Sequence, residues 1–328
     1  MNIENDYINK INVLSLIFIS IYCIVGVGYD IQASNKLTYI LIRFITNLGF
    51  PLLLMTFGAL VLNNNHEGIG FVKKFYKCFI PPFLIWNIIL GILIIYYNGF
   101  NSFVTTITHI NWFVWIVMSN VLVIPILSEF LNFEKESGVK YLLALFFIAG
   151  ILWSLSVQFK FSLYYIDLVF FAQPLCFMVL GYYLANKQFK SNSYKILITC
   201  LIILIITLFI RFLLIIKGIA AWNLYFIQIF GTTLQIGVDP FTLIEVSSIF
   251  LIVKSFNGVL KDNSVINLYS KKTFSLIMIL GIFSFILSKL SIKLNWFKLA
   301  IFSTILFFII TGIFFALINK SIFLKKIF

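Results

Sequence analysis

Among the ionisable side chains within long apolar runs, three stand out: Arg43, Asp167 and Glu245. A charge inside such a run is costly to place, so each is a functional candidate by default. An arginine in that setting can hold a carboxylate, a phosphate or a developing oxyanion. Asp167 and Glu245, with His109 at the start of another apolar run, can take or return the proton of a hydroxyl. Asn47 follows Arg43 by four residues, so the two share one helix face. The same residues also admit an architectural reading, in which a buried arginine–carboxylate pair fixes helix packing and the other acid lies near the headgroups. Taken alone, His109 reads as an ordinary interfacial histidine.

The runs that carry these residues are long enough to cross a membrane. A spanning helix needs roughly 20 mostly apolar residues. Ten segments qualify: 11–28, 38–62, 78–97, 111–129, 141–157, 164–185, 194–216, 240–258, 273–290 and 297–318. The expected fold is therefore all-α, a polytopic integral membrane protein whose 328 residues form one transmembrane domain. Composition points the same way, with 62% hydrophobic and 11% charged residues and a mean hydropathy of +1.07. A soluble domain carries about 25% charged residues, and a soluble core here would have almost no surface to cover it. The first run begins near Ile11 without a small-residue cleavage site, so it is expected to remain as span one. No linker or low-complexity tract marks a second domain. Cys23, Cys78, Cys176 and Cys200 lie in or beside apolar runs with no paired spacing and read as free thiols. No metal-ligand spacing is present.

The net charge of +13 on a soluble chain would raise nucleic acid as a partner. Here the lysines cluster in the short connections between apolar runs, as the positive-inside bias of membrane proteins predicts, and no nucleic-acid partner is expected. With the N-terminus inside and ten spans, 16 cations fall on the inner side and 7 on the outer, Arg211 among the latter, with Arg43 inside the membrane. Segment 222–238 is apolar but holds Gln228, Thr232, Thr233 and Gln235 and ends at Asp239-Pro240. If it also spanned, the split would become 12 to 11. The charge rule therefore favours ten spans in the cell membrane, both termini cytoplasmic, with 222–238 at the outer surface.

In that topology spans two, six and eight all run from outside to inside. Arg43, Asp167 and Glu245 then lie roughly 6–9 Å into their helices at about 1.5 Å per residue, at one depth in the outer third. Trp112, Trp115, Trp153, Trp222 and Trp296 also fall on the outer side, and Trp86 falls near mid-membrane. The bias reads as an interfacial aromatic belt, and for one or two of them, Trp112 foremost, as a platform for a sugar ring.

Several stretches, in order along nearly the whole chain, resemble the membrane acyltransferase type 3 family of bacteria, which also has ten spans. Gly49-Phe50-Pro51-Leu52-Leu53-Leu54-Met55-Thr56-Phe57-Gly58 is similar to the family's proline, apolar run, small residue and glycine. Phe71-Val72-Lys73-Lys74-Phe75-Tyr76-Lys77-Cys78-Phe79-Ile80-Pro81-Pro82-Phe83-Leu84-Ile85-Trp86 looks like its basic stretch leading to Ile-Pro-Pro and a tryptophan. His109-Ile110-Asn111-Trp112-Phe113 with Pro125 downstream, and Leu180-Gly181-Tyr182 closing span six, match two further pieces. The chain departs from the pattern in three places. Span one has no histidine, where many members carry a catalytic one about eleven residues after an arginine. The arginine that members carry near the start of span three is absent, with Phe75 and Lys77 in its neighbourhood. The stretch Tyr269-Ser270-Lys271-Lys272-Thr273-Phe274-Ser275 lacks a C-terminal histidine that is common in members.

The resemblance implies transfer of an acetyl or succinyl group from a cytoplasmic acyl-CoA to a hydroxyl of a surface polysaccharide or its lipid-linked precursor. His109, Asp167 and Glu245 would handle protons. Arg43, Asn47 and Trp112 would hold the substrate, and Lys77, with Lys73 and Lys74, would face the CoA phosphates. Two other readings stay open: a non-catalytic or transport protein for lipid-linked saccharides, and a polysaccharide polymerase.

Overall fold

The computed structural model describes residues 6–29, 42, 44–62, 68–102, 112–159, 175–189, 193–216, 240–256, 264–289 and 296–320. Their regular elements are all helical: α1 (Asp6–Tyr29), α2 (Gly49–Val61), α3 (Gly68–Asn98), α4 (Trp112–Phe159), α5 (Leu175–Asn186), α6 (Ser193–Ile216), α7 (Pro240–Ser255), α8 (Ser264–Lys271), α9 (Thr273–Lys289) and α10 (Trp296–Lys320). Five helical stretches are long and apolar enough to cross a membrane, or six if the pair α8–α9, bent by 75°, counts as one span. Leu175–Asn186 and Ile301–Phe315 are shorter apolar helices. The chain is thus a helical membrane protein. Segment 222–238 lies outside the described residues.

The described helices fall on the apolar runs, five or six of them at spanning length rather than ten, and two differences are informative. Residues 71–77 read from sequence as a basic connection, yet α3 runs unbroken from Gly68. Lysine is a good helix former, and Phe75, Phe79 and Phe83 recur every four residues. Their rings stack successively at 5.2 and 6.1 Å, which favours continuing the helix through the lysines. The connection between the fourth and fifth expected spans is likewise helical. α4 is interrupted only at Lys135, which adopts φ 51° and ψ −132°.

Polar side chains inside apolar helices are bonded to their own backbone, because lipid offers no alternative partner. Thr207 donates to Ile203 O at 2.9 Å, Ser248 to Ile244 O at 2.8 Å and Thr311 to Phe307 O at 2.8 Å. In α3, Pro81 and Pro82 remove two backbone donors. Just beyond them, Asn87 Nδ2 donates to Phe83 O at 2.7 Å.

The described chain divides into two compact units that interleave along the sequence. The first comprises Met1–Asn12, Phe50–Gly68 and Ile116–Asn263, and the second Val13–Gly49, Ile69–Trp115 and Ser264–Phe328. In the first, α2 and α5 cross with backbones in contact. A Cβ added at Gly58 would land on the Met178 carbonyl, and one at Gly181 on the Met55 carbonyl. Small residues at such crossings let membrane helices approach closely, where dispersion rather than water exclusion drives packing. Thr56 of α2 also donates to Asn12 of α1, both side chains being buried. In the second unit, Leu90 and Ile94 of α3 pack with Ile282 and Phe285 of α9, flanked by Trp86 and Leu93. Tyr269 donates to the Phe308 carbonyl of α10 at 2.6 Å.

Candidate functional site

The most deeply buried ion pair among the described residues joins α6 to α7. A helix needs no backbone donor at its first position, which suits proline, and Pro240 opens α7 in that way. The next turn places Phe241, Thr242 and Glu245 at three- and four-residue spacing, on one face. Glu245 is fully buried and Arg211 of α6 is 5% exposed. Arg211 Nη1 donates to Glu245 Oε2 at 2.5 Å, and Nη2 donates to Thr242 Oγ1 at 2.9 Å. The Phe241 ring lies 5.9 Å from the guanidinium carbon. The planar guanidinium fork thus meets a carboxylate, a hydroxyl and an aromatic face at once.

Lys254 is at the other end of α7. Its ammonium donates to the carbonyls of Leu184, Ala185 and Lys187, at 2.7, 2.8 and 3.0 Å. These are end-of-helix carbonyls without helical partners, at the negative end of the α5 dipole. The rings of Tyr7 and Phe189 lie 6.0 and 5.9 Å from the same ammonium. Beyond the end of α5, Lys187 donates to Glu136 at 2.6 Å, and Lys140 approaches the same carboxylate at 3.2 Å. Those lysines hold the Glu136 carboxyl below its ordinary range, Lys187 foremost, and Glu136 in turn raises Lys187.

Of the residues singled out from sequence, Arg43, His109 and Asp167 lie outside the described residues. Trp112 is the first residue of α4. Asn47 is half-buried and Lys77 is exposed. Both belong to the second unit, whereas Glu245 belongs to the first. Trp115 packs edge-on against Phe83 at 5.1 Å.

Sequence reasoning missed Arg211, Thr242 and Lys254. It counted Arg211 as an outer-side loop cation, because the residue lies near the end of its apolar run. A signal was present: Arg211 and Glu245 each sit five residues from the helix end that borders segment 217–239. Neighbouring antiparallel helices bring such mirrored positions to one level. No protein-family model, curated protein or solved structure matches this chain.

Proposed function

We propose that this protein is an integral-membrane O-acyltransferase. In this reading it moves an acetyl or succinyl group from acyl-CoA to a hydroxyl of a surface polysaccharide or its lipid-linked precursor. The observation that carries the reading is the ordered resemblance to the acyltransferase type 3 family along the chain. Gly58 and Gly181, from two separate pieces of that resemblance, form opposite sides of one helix crossing in this chain.

The proposed topology has ten spans in the plasma membrane, both ends cytoplasmic. Arg211 and Lys10 are each buried in an ion pair; without them the cation split is 15 inside to six outside, which keeps the inward bias. The exposed Lys73, Lys74 and Lys77 at the start of α3 then face the cytoplasm, where CoA phosphates are available.

In the reaction, His109 or Asp167 takes the acceptor hydroxyl proton as its oxygen attacks the thioester carbonyl. The carbon–sulfur bond breaks, and the departing CoA sulfur receives a proton. Arg43 and Asn47 stabilise the oxyanion. Glu245, whose charge is matched by Arg211, holds α7 against α6 in this scheme.

Deleting the gene and examining the surface glycan by NMR tests the proposal. Loss of O-acyl groups from a glycan that is still made is the expected result. Unchanged acylation overturns it, and accumulation of unexported lipid-linked precursor would assign the protein to transport instead.

A further inference from the structure

The second unit contains an apolar cavity of about 450 Å³. Phe18 and Ile21 of α1, Ile45 and Thr46 ahead of α2, and Ile301 and Ile305 of α10 line it. Val25, fully buried, also lines it. Ile45, Ile301 and Ile305 are 41, 48 and 55% exposed, so the cavity opens through an isoleucine rim. Phe18 and Ile21 lie in the stretch Asp6–Val25, and Ile45 and Thr46 in the stretch Phe44–Val61, both apolar enough to cross a membrane.

The volume equals the liquid share of about fifteen waters at ~30 Å³ each, and each would need roughly two to four polar partners. The wall is apolar apart from two threonines: the Thr46 hydroxyl is donated to the Ile42 carbonyl at 2.7 Å, and Thr304 is buried and has a partner of its own. Water therefore has almost nothing to bond there, and apolar cavities of this kind bind apolar guests. An opening rimmed by isoleucines on membrane helices meets hydrocarbon.

We propose that this cavity is a binding site for one hydrocarbon chain of a membrane lipid. The cavity and membrane insertion carry this assignment, which stands apart from the acyltransferase reading. Two kinds of lipid carry such a chain: the bulk phospholipids and the polyprenyl phosphates that carry saccharides. Both offer a flexible, narrow, wholly apolar body to the rim, with the polar head left outside.

The test is photo-crosslinking of the full-length protein in nanodiscs. One preparation contains a phospholipid with a diazirine in its acyl chain, and a second contains a diazirine-bearing polyprenyl phosphate at low mole fraction. Mass spectrometry should find adducts on the α1 peptide containing Phe18 and Ile21. Ile45→Trp and Ile305→Trp, at rim positions that tolerate bulk, should each lower that labelling at least fivefold. Ile202→Trp, on the exposed face of α6, should leave it unchanged. Labelling by the phospholipid assigns the site to a bilayer lipid. Labelling by the polyprenyl probe alone assigns it to a lipid carrier. Absence of α1 adducts with both probes, or adducts that ignore the rim variants, overturns the proposal.

Discussion

At Arg211 and Glu245 two opposite charges share a site from which water is excluded, and that sets what substitution does. Removing one partner leaves an uncompensated buried charge, at a cost of about 3–5 kcal/mol. Arg211→Ala and Glu245→Ala should each lower thermal stability in detergent by that order. Replacing both with leucine removes the desolvation cost together with the attraction, and such exchanges are often neutral. The double variant should therefore melt near the parent. Acyl transfer retained by it would show that the pair serves packing alone, whereas activity lost at full stability would place the pair in the reaction. Arg211→Lys should recover little, because a lysine cannot reach Oε2 and Thr242 as a planar fork.

At the level of elements, the α2–α5 crossing depends on two missing side chains. Gly181→Leu forces atoms onto the Met55 backbone, and overpacking of this kind costs about 1–3 kcal/mol or more. Lower melting temperature and faster proteolysis of Gly181→Leu would follow, and a parent-like melt would refute the crossing. The link from α4 to the end of α5 through Glu136 and Lys187 should be sensitive to pH. The depressed Glu136 contributes above its ordinary range and is lost as pH falls through its lowered value. The raised Lys187 contributes below its ordinary range and is lost as pH rises through its raised value. Protection of the amides just after α5, taken relative to their intrinsic exchange rate at each pH, should therefore be greatest between those limits and fall with added salt, because the pair is exposed. A protection factor flat across acid and salt would remove the link.

For the whole molecule, the proposed ten-span topology puts both ends on one side of the membrane. A reporter fused after Phe328 that is active only outside the cytoplasm should stay inactive, and one inserted within 222–238 should be active. An active C-terminal fusion would overturn the even number of spans, and activity loss from the 222–238 insertion in the same protein would place the extra crossing there.

Much of the architecture was legible in the sequence. A stretch such as Ser193–Ile216 announces itself by apolar length alone, because partition into lipid depends on what a segment is made of. Helix form follows, since a backbone in hydrocarbon must satisfy its own hydrogen bonds. Only tertiary structure decided which charges meet. In a segment apolar on every side, sequence does not mark the face that packs, since lipid tails are as apolar as leucine. Arg211 thus read as a loop cation and Lys254 as an inner-side charge, until docked helices put one against Glu245, 34 residues away, and the other beneath the last carbonyls of α5. The apolar cavity was equally invisible, because it is bounded by residues from both ends of the chain, and an empty volume has no sequence of its own.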